Sequence, residues 1–160
     1  MHSVTVITVG KLKEKFYLSA AAEYAKRLSG FCHFKLVELP EYRLPENPTP
    51  GDIQNALEKE ADLILSVIPK SVWLCVLTPE GNLLSSEILA QKIAEIKLSG
   101  KSNLCYLIGS SFGIAKRIKG MADLRLSMSP MTFPHHLARI MLLEQLYRAE
   151  AIQARSKYHK

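Results

Sequence analysis

The chain has 160 residues, 48% of them hydrophobic and 22% charged, with a formal net charge of +6. That composition suits one folded domain over residues 1–160 with a core of ordinary size, and it excludes an intrinsically disordered chain. No apolar run approaches a membrane span, and Met1–Val6 lacks the basic leader of a secretion signal, so a cytoplasmic protein without membrane contact is expected.

Residues 4–9 (VTVITV) are β-branched throughout and read as a buried strand closed by Gly10. Residues 14–29 place Leu18, Ala21, Ala22, Ala25 and Leu28 at helical spacing before Gly30. A second strand fits 33–39. Pro40, Pro45, Pro48 and Pro50 then forbid a helix interior or a central strand, which makes this stretch a surface loop. Thr49 and Asp52 stand at capping-box spacing before a helix that runs to about Ile68. Strand 72–77, helix 86–98, strand 104–108, a Gly/Ser loop, a short basic helix near 114–121, strand 124–128 and helix 135–153 complete the alternation. Strands that are continuous apolar runs alternating with helices predict an α/β domain whose mostly parallel sheet is covered on both faces.

The charge is distributed unevenly. Residues 1–115 carry 12 basic and 12 acidic residues, so the whole excess lies in 116–160, where nine Lys and Arg oppose Asp123, Glu144 and Glu150. A basic segment on a neutral body is the footprint of a polyanionic partner, or simply a solvated face. Cys32, Cys75 and Cys105 sit in apolar stretches without metal-ligand spacing and read as buried reduced thiols, not as zinc ligands or disulfides.

Ligands of such sheets bind outside the carboxyl ends of the strands, here at the loops 78–84, 109–113 and 129–134. Gly109-Ser110-Ser111-Phe112-Gly113 offers two glycines that admit close backbone approach or positive φ, but neither a dinucleotide fingerprint nor a P-loop lysine. The segment 126–136 (LSMSPMTFPHH) is a rigid apolar loop. Its main-chain groups can pair with an adenine edge while Leu77, Met128 and Met131 pack on the ring. The final helix is apolar in nearly every angular sector and so must be covered on more than one side. A second copy of the chain is the simplest cover, with Leu142, Leu143 and Leu146 expected in the interface.

Leu107-Ile108-Gly109 with Gly113, Leu126-Ser127, Met131-Thr132-Phe133-Pro134-His135, Glu144 to Ala149 (EQLYRA) and terminal Tyr158-His159-Lys160 occur in order. Together they resemble one family, the ribosomal large-subunit RNA pseudouridine N3-methyltransferases of the SPOUT superfamily. The resemblance implies a C-terminal trefoil knot, an exception to unknotted chains that no periodicity reveals. It implies S-adenosyl-L-methionine (SAM) held by Leu77, Gly109, Met128, Ser129, Pro130, Met131, Thr132 and Phe133, with no metal. It implies a homodimer and, as substrate, a pseudouridine of 23S rRNA in the ribosome. Ser110, Phe112 and Lys157 depart from the family's usual second glycine, acid and small residue. Within that frame His135 and His159 are candidates for proton handling, and Arg139 and Tyr158 for contacts to phosphate or base. A SPOUT enzyme acting on tRNA and a non-catalytic RNA- or ribosome-binding module are the rival readings. A flavodoxin-like nucleotide-binding domain is disfavoured by the missing phosphate signatures.

Overall fold

Strands and helices alternate from one end of the chain to the other in the computed structural model, which describes residues 1–160. They are β1 (Ser3–Val9), α1 (Lys15–Leu28), β2 (His33–Leu39), α2 (Pro50–Val67), β3 (Trp73–Leu83), α3 (Ser86–Leu98), β4 (Asn103–Ile108), α4 (Lys116–Gly120), β5 (Leu124–Ser127) and α5 (His135–Gln153). The sheet order is β2-β1-β4-β3-β5, and every neighbouring pair is parallel. No helix is long and apolar enough to cross a membrane.

The strand pleat sorts side chains into two cores. Val4, Val6, Trp73, Cys75, Leu104 and Tyr106 face one side, where α1, α3 and α5 cover them. Ile7, Val9, Leu74, Val76, Cys105 and Leu107 face the other, covered by α2 and α4. All three cysteines are buried and free, and burial pushes the Cys32 thiol up to about 11 and Cys105 to about 12. They are inert core thiols, as expected.

The capping box at Thr49 forms in full: Asp52 N–H donates to Thr49 Oγ1 at 3.1 Å and Thr49 N–H to Asp52 Oδ2 at 2.9 Å. With Pro50 at the first helical position, it starts α2 where the proline-rich loop ends.

Three expectations change. β3 does not stop at Leu77: Leu77 and Asn82 both register on Leu126, so residues 78–81 arch out before the strand resumes. Gly81 allows this, since a Cβ there would stand 2.7 Å from the Leu126 carbonyl carbon. On α1, Leu18 lies 46% exposed and Ala22 is also exposed, while Tyr17 and Tyr24 take the inward positions beside Ala21 and Leu28. Leu142, Leu143 and Leu146 are only 0%, 0% and 3% exposed within this one chain. Helix α5 lies on the sheet and is flanked in its own layer by α1 and α3. Three neighbours from the same chain account for the burial of these leucines, which are core residues and cannot form an interface.

Beyond α5 the chain turns sharply. Ser156 N–H reaches Ala151 O at 2.9 Å and Arg155 N–H reaches Ile152 O at 3.0 Å, a Schellman closure with Arg155 at φ 54°. The turn lays the tail back on α5 and α3.

Candidate active site

The carboxyl ends of β3, β4 and β5 open onto one cavity of about 730 Å³, within the range that small-molecule sites occupy. Its walls are the arch after Leu77, the glycine loop after β4 and the loop joining β5 to α5. All eight residues expected around a cofactor line it: Leu77, Gly109, Met128, Ser129, Pro130, Met131, Thr132 and Phe133. His135 and Ala138, in the first turn of α5, close one side.

Each wall has a local cause. Gly113 takes φ +92°, a conformation that L side chains rarely adopt. Gly109 is needed for a different reason from the one expected. A Cβ there would overlap Gly113 O and lie 2.8 Å from its carbonyl carbon, so the close approach is between the two ends of the loop. In the last loop Ser129 accepts from Met131 N–H at 2.9 Å, and its carbonyl accepts from Ser127 Oγ at 3.1 Å. The backbone N–H groups of Thr132 and Phe133 make no hydrogen bond within the chain, which leaves main-chain donors for a ligand's polar edge. Open backbone groups beside Leu77, Met128 and Met131 fit an adenine ring without any phosphate cradle.

At the rim, Lys119 donates to Glu80 at 2.6 Å. That ammonium is the main reason the Glu80 carboxyl is held down to about 2. His135 Nε2 lies 3.7 Å from Glu41 Oε1, and its ring centroid is 4.2 Å from that of His136. Burial, reinforced by His136, lowers the His135 pKa, so at neutral pH its imidazole is uncharged and can accept a proton.

The other three expected residues stand outside this cavity. Arg139 is 1% exposed; it donates to Glu38 Oε2 at 2.7 Å and to Gly10 O at 2.9 Å. A guanidinium so enclosed cannot touch a phosphate or base, and the expectation of such a contact is corrected: Arg139 ties α5 to the ends of β1 and β2. Tyr158 donates to Glu144 Oε1 at 3.0 Å and packs edge-on to Tyr147, with Arg148 4.8 Å over its ring. His159 pairs with Glu87 at 2.8 Å and with Arg148 at 3.1 Å. The tail is thus folded on its own α5 and α3, away from this chain's cavity.

Of the nine basic residues after 115, Arg117, Lys119, Arg139 and Arg148 are taken up in ion pairs. Lys116, Arg125, Arg155, Lys157 and Lys160 are exposed without carboxylate partners. They are the charges left for a polyanion.

Glu60, not among the residues expected at the site, touches the glycine loop from α2 through Ser110. Its signal was present: an acid in the stripe of Ala56, Leu57, Ala61 and Ile64 that faces the sheet.

Comparison with known proteins gives the family. The family model described as "Predicted SPOUT methyltransferase" matches residues 2–159. A protein of Clostridium novyi named ribosomal RNA large subunit methyltransferase H is 43% identical over 158 residues, covering 99% of each chain. The protein of that name from Moorella thermoacetica is 41% identical over 160 residues, covering 100% of each. A solved structure of a probable methylase family protein from Haemophilus influenzae superposes with a TM-score of 0.53 at 14% identity, over 98% of this chain and 70% of that one, which is a likeness of fold. By a match that runs from residue 2 to residue 159 and relatives of equal length, this chain belongs to the SPOUT methyltransferase family.

Proposed function

We propose that this protein transfers a methyl group from S-adenosyl-L-methionine to N3 of a pseudouridine in 23S rRNA, acting in the cytoplasm on the ribosome. The observation that carries the reading is the cavity at the ends of β3, β4 and β5, in a chain 41–43% identical along its whole length to proteins named large-subunit rRNA methyltransferases.

The sulfonium of the cofactor supplies an electrophilic methyl group, so the protein's task is alignment and proton handling. Leu77, Met128 and Met131 would flank the adenine, and the Met128–Phe133 backbone would meet its polar edge. Holding donor and acceptor in line supplies roughly 7–11 kcal/mol in favourable cases, against about 10²–10⁴-fold from a positioned base. His135, neutral and at the cavity wall, is the proton acceptor in this reading.

The resemblance further suggests that the segment after β4 is drawn through a trefoil knot and that two copies pair. In such a dimer Tyr158 and His159 of one protomer would complete the site of its partner, which accounts for a folded tail that leaves its own cavity alone. Half-exposed Ile140 and Met141 of α5 are suited to the pairing. The unpaired Lys116, Arg125, Arg155, Lys157 and Lys160 would meet RNA phosphates.

Mass spectrometry of rRNA and tRNA nucleosides from cells with and without the gene tests the proposal. Loss of 3-methylpseudouridine from 23S rRNA is expected. Loss of a tRNA modification alone would reassign the substrate, and no loss would remove the enzyme reading.

A further inference from the structure

Two carboxylates are buried in this protein, and they are treated differently. Glu150, 7% exposed, is met by His2 at 2.8 Å and Lys97 at 3.2 Å. Glu60, 4% exposed, has no cation at all. Its Oε1 accepts from Ser110 Oγ at 3.0 Å and its Oε2 from the Tyr42 N–H at 3.0 Å. Burial pushes its carboxyl above the ordinary value, with Glu41 adding to the rise.

Burying a carboxylate without a counter-charge is costly. What the position does supply is reach. From the middle of α2 the side chain touches both the proline-rich segment, at Tyr42, and the glycine loop, at Ser110. A second cavity of about 330 Å³ surrounds this junction and shares Ser110, Ser111 and Phe112 with the larger one. Glu60 therefore stands behind the wall whose front faces the cofactor cavity. Within that wall residue 110 is held by its antiparallel bridge to Gly113, with Gly113 N–H donating to Ser110 O at 2.9 Å, and from outside the loop by this carboxylate.

We infer that Glu60 is a positioning residue for the cofactor site: through Ser110 it fixes the Gly109–Gly113 loop, and through Tyr42 it couples that loop to residues 40–49. The inference rests on the proposed use of the larger cavity for S-adenosylmethionine.

The test uses the full chain and the variants Ser110→Ala, Glu60→Gln and the double variant. Cofactor affinity is measured by calorimetry, with the unfolding midpoint and amide hydrogen exchange of residues 109–113 measured alongside. Losing a hydrogen bond to a charged group should weaken binding about tenfold or more. Ser110→Ala should weaken it by that amount, and the double variant should be no worse than Glu60→Gln. In turnover the KM for the cofactor should rise while kcat changes less than about threefold. Wild-type affinity in Ser110→Ala, or losses that multiply in the double variant, would overturn the inference. Should Glu60→Gln fail to fold, Ser110→Ala decides alone. Should the wild-type protein not bind the cofactor, the functional proposal fails, and hydrogen exchange still reads the link. Faster exchange at 109–113 in Ser110→Ala supports it, and identical exchange removes it.

Discussion

Arg139 and Glu38 are 101 positions apart in sequence and 2.7 Å apart in space. Glu38 Oε2 also accepts from Leu12 N–H at 3.1 Å, and Arg139 reaches Gly10 O. One ion pair thereby fixes the ends of β1 and β2 against the first turns of α5, next to His135. Removing one partner of a buried pair costs roughly 3–5 kcal/mol; because the Glu38 side chain is 32% exposed, Arg139→Met should cost about 2–3 kcal/mol. Urea unfolding checks this. A change below about 0.5 kcal/mol would show that the pair contributes nothing net.

Gly109→Val is a poor probe of the cofactor cavity, because the added side chain would collide with Gly113 before any ligand arrived. Ala138→Leu is a better one. It enlarges a residue on the wall contributed by α5, where leucine is a good helix former. S-adenosylmethionine affinity should fall at least tenfold with unchanged secondary structure, and calorimetry that gave wild-type affinity would move the site elsewhere.

Deleting Tyr158 to Lys160 removes one formal charge at neutral pH and a few contacts on the surface of α5 and α3. Stability should change by less than about 1 kcal/mol. If the tail completes a partner's site, single-turnover methylation of ribosomes should fall about 100-fold or more, while cofactor affinity and sedimentation stay as before. A truncated enzyme that keeps its rate would confine the tail to a structural role.

Tyr106 is fully buried, packs edge-on to Trp73 at 6.0 Å, and its hydroxyl has no partner. An unpaired buried hydroxyl costs about 1–3 kcal/mol, so Tyr106→Phe should stabilise the fold by roughly 1 kcal/mol. Thermal unfolding would register a higher midpoint, whereas a lower one would show that the hydroxyl is satisfied in solution.

Burial lowers the pKa of both His135 and His2, the latter against the pull of Glu150. Each binds protons more tightly when unfolded, so stability falls as pH drops from the ordinary histidine value through the depressed folded ones. Glu60 has the opposite sign: its raised pKa favours the fold in acid, and that contribution disappears as pH rises through the folded value. His135→Gln should therefore flatten the decline in unfolding midpoint between neutral pH and about pH 5.5. An unaltered slope would assign the decline to His2.

The alternation of elements was legible because period-2 and period-3.6 patterns are local. The bounds expected for α5, 135–153, and for β2, 33–39, coincide with those found. The loops that wall the cavity were legible because ligand sites of parallel sheets fall at strand ends, which strand assignment locates; the individual residues expected around a cofactor were implied by the family resemblance. What was not legible depends on contacts far apart in sequence. The apolar surface of α5 does not say whether α1, α3 or a second copy covers it, and the burial of Leu142, Leu143 and Leu146 was misassigned for that reason. Arg139 reads as a free cation until Glu38 is brought beside it; the place of Glu60 in an apolar stripe is visible in sequence, but its partners Tyr42 and Ser110 are not. The arch at 78–81 follows from Gly81 passing against β5, a closeness visible only in three dimensions.

The strand order also governs how the molecule comes into being. β1 lies between β2 and β4, and its residue Ser3 must wait for Asn103 to be synthesised before its second edge is paired. β3 waits in turn for Leu124, and His2 for Glu150. No hairpin exists to nucleate the sheet locally, and every pairing closes a long loop. Such topologies fold in milliseconds to seconds instead of microseconds. For most of its own translation the chain therefore carries an apolar strand with an open edge, a species that invites misassociation and the attention of chaperones. The sheet is completed only once β5, Leu124–Ser127, has been synthesised.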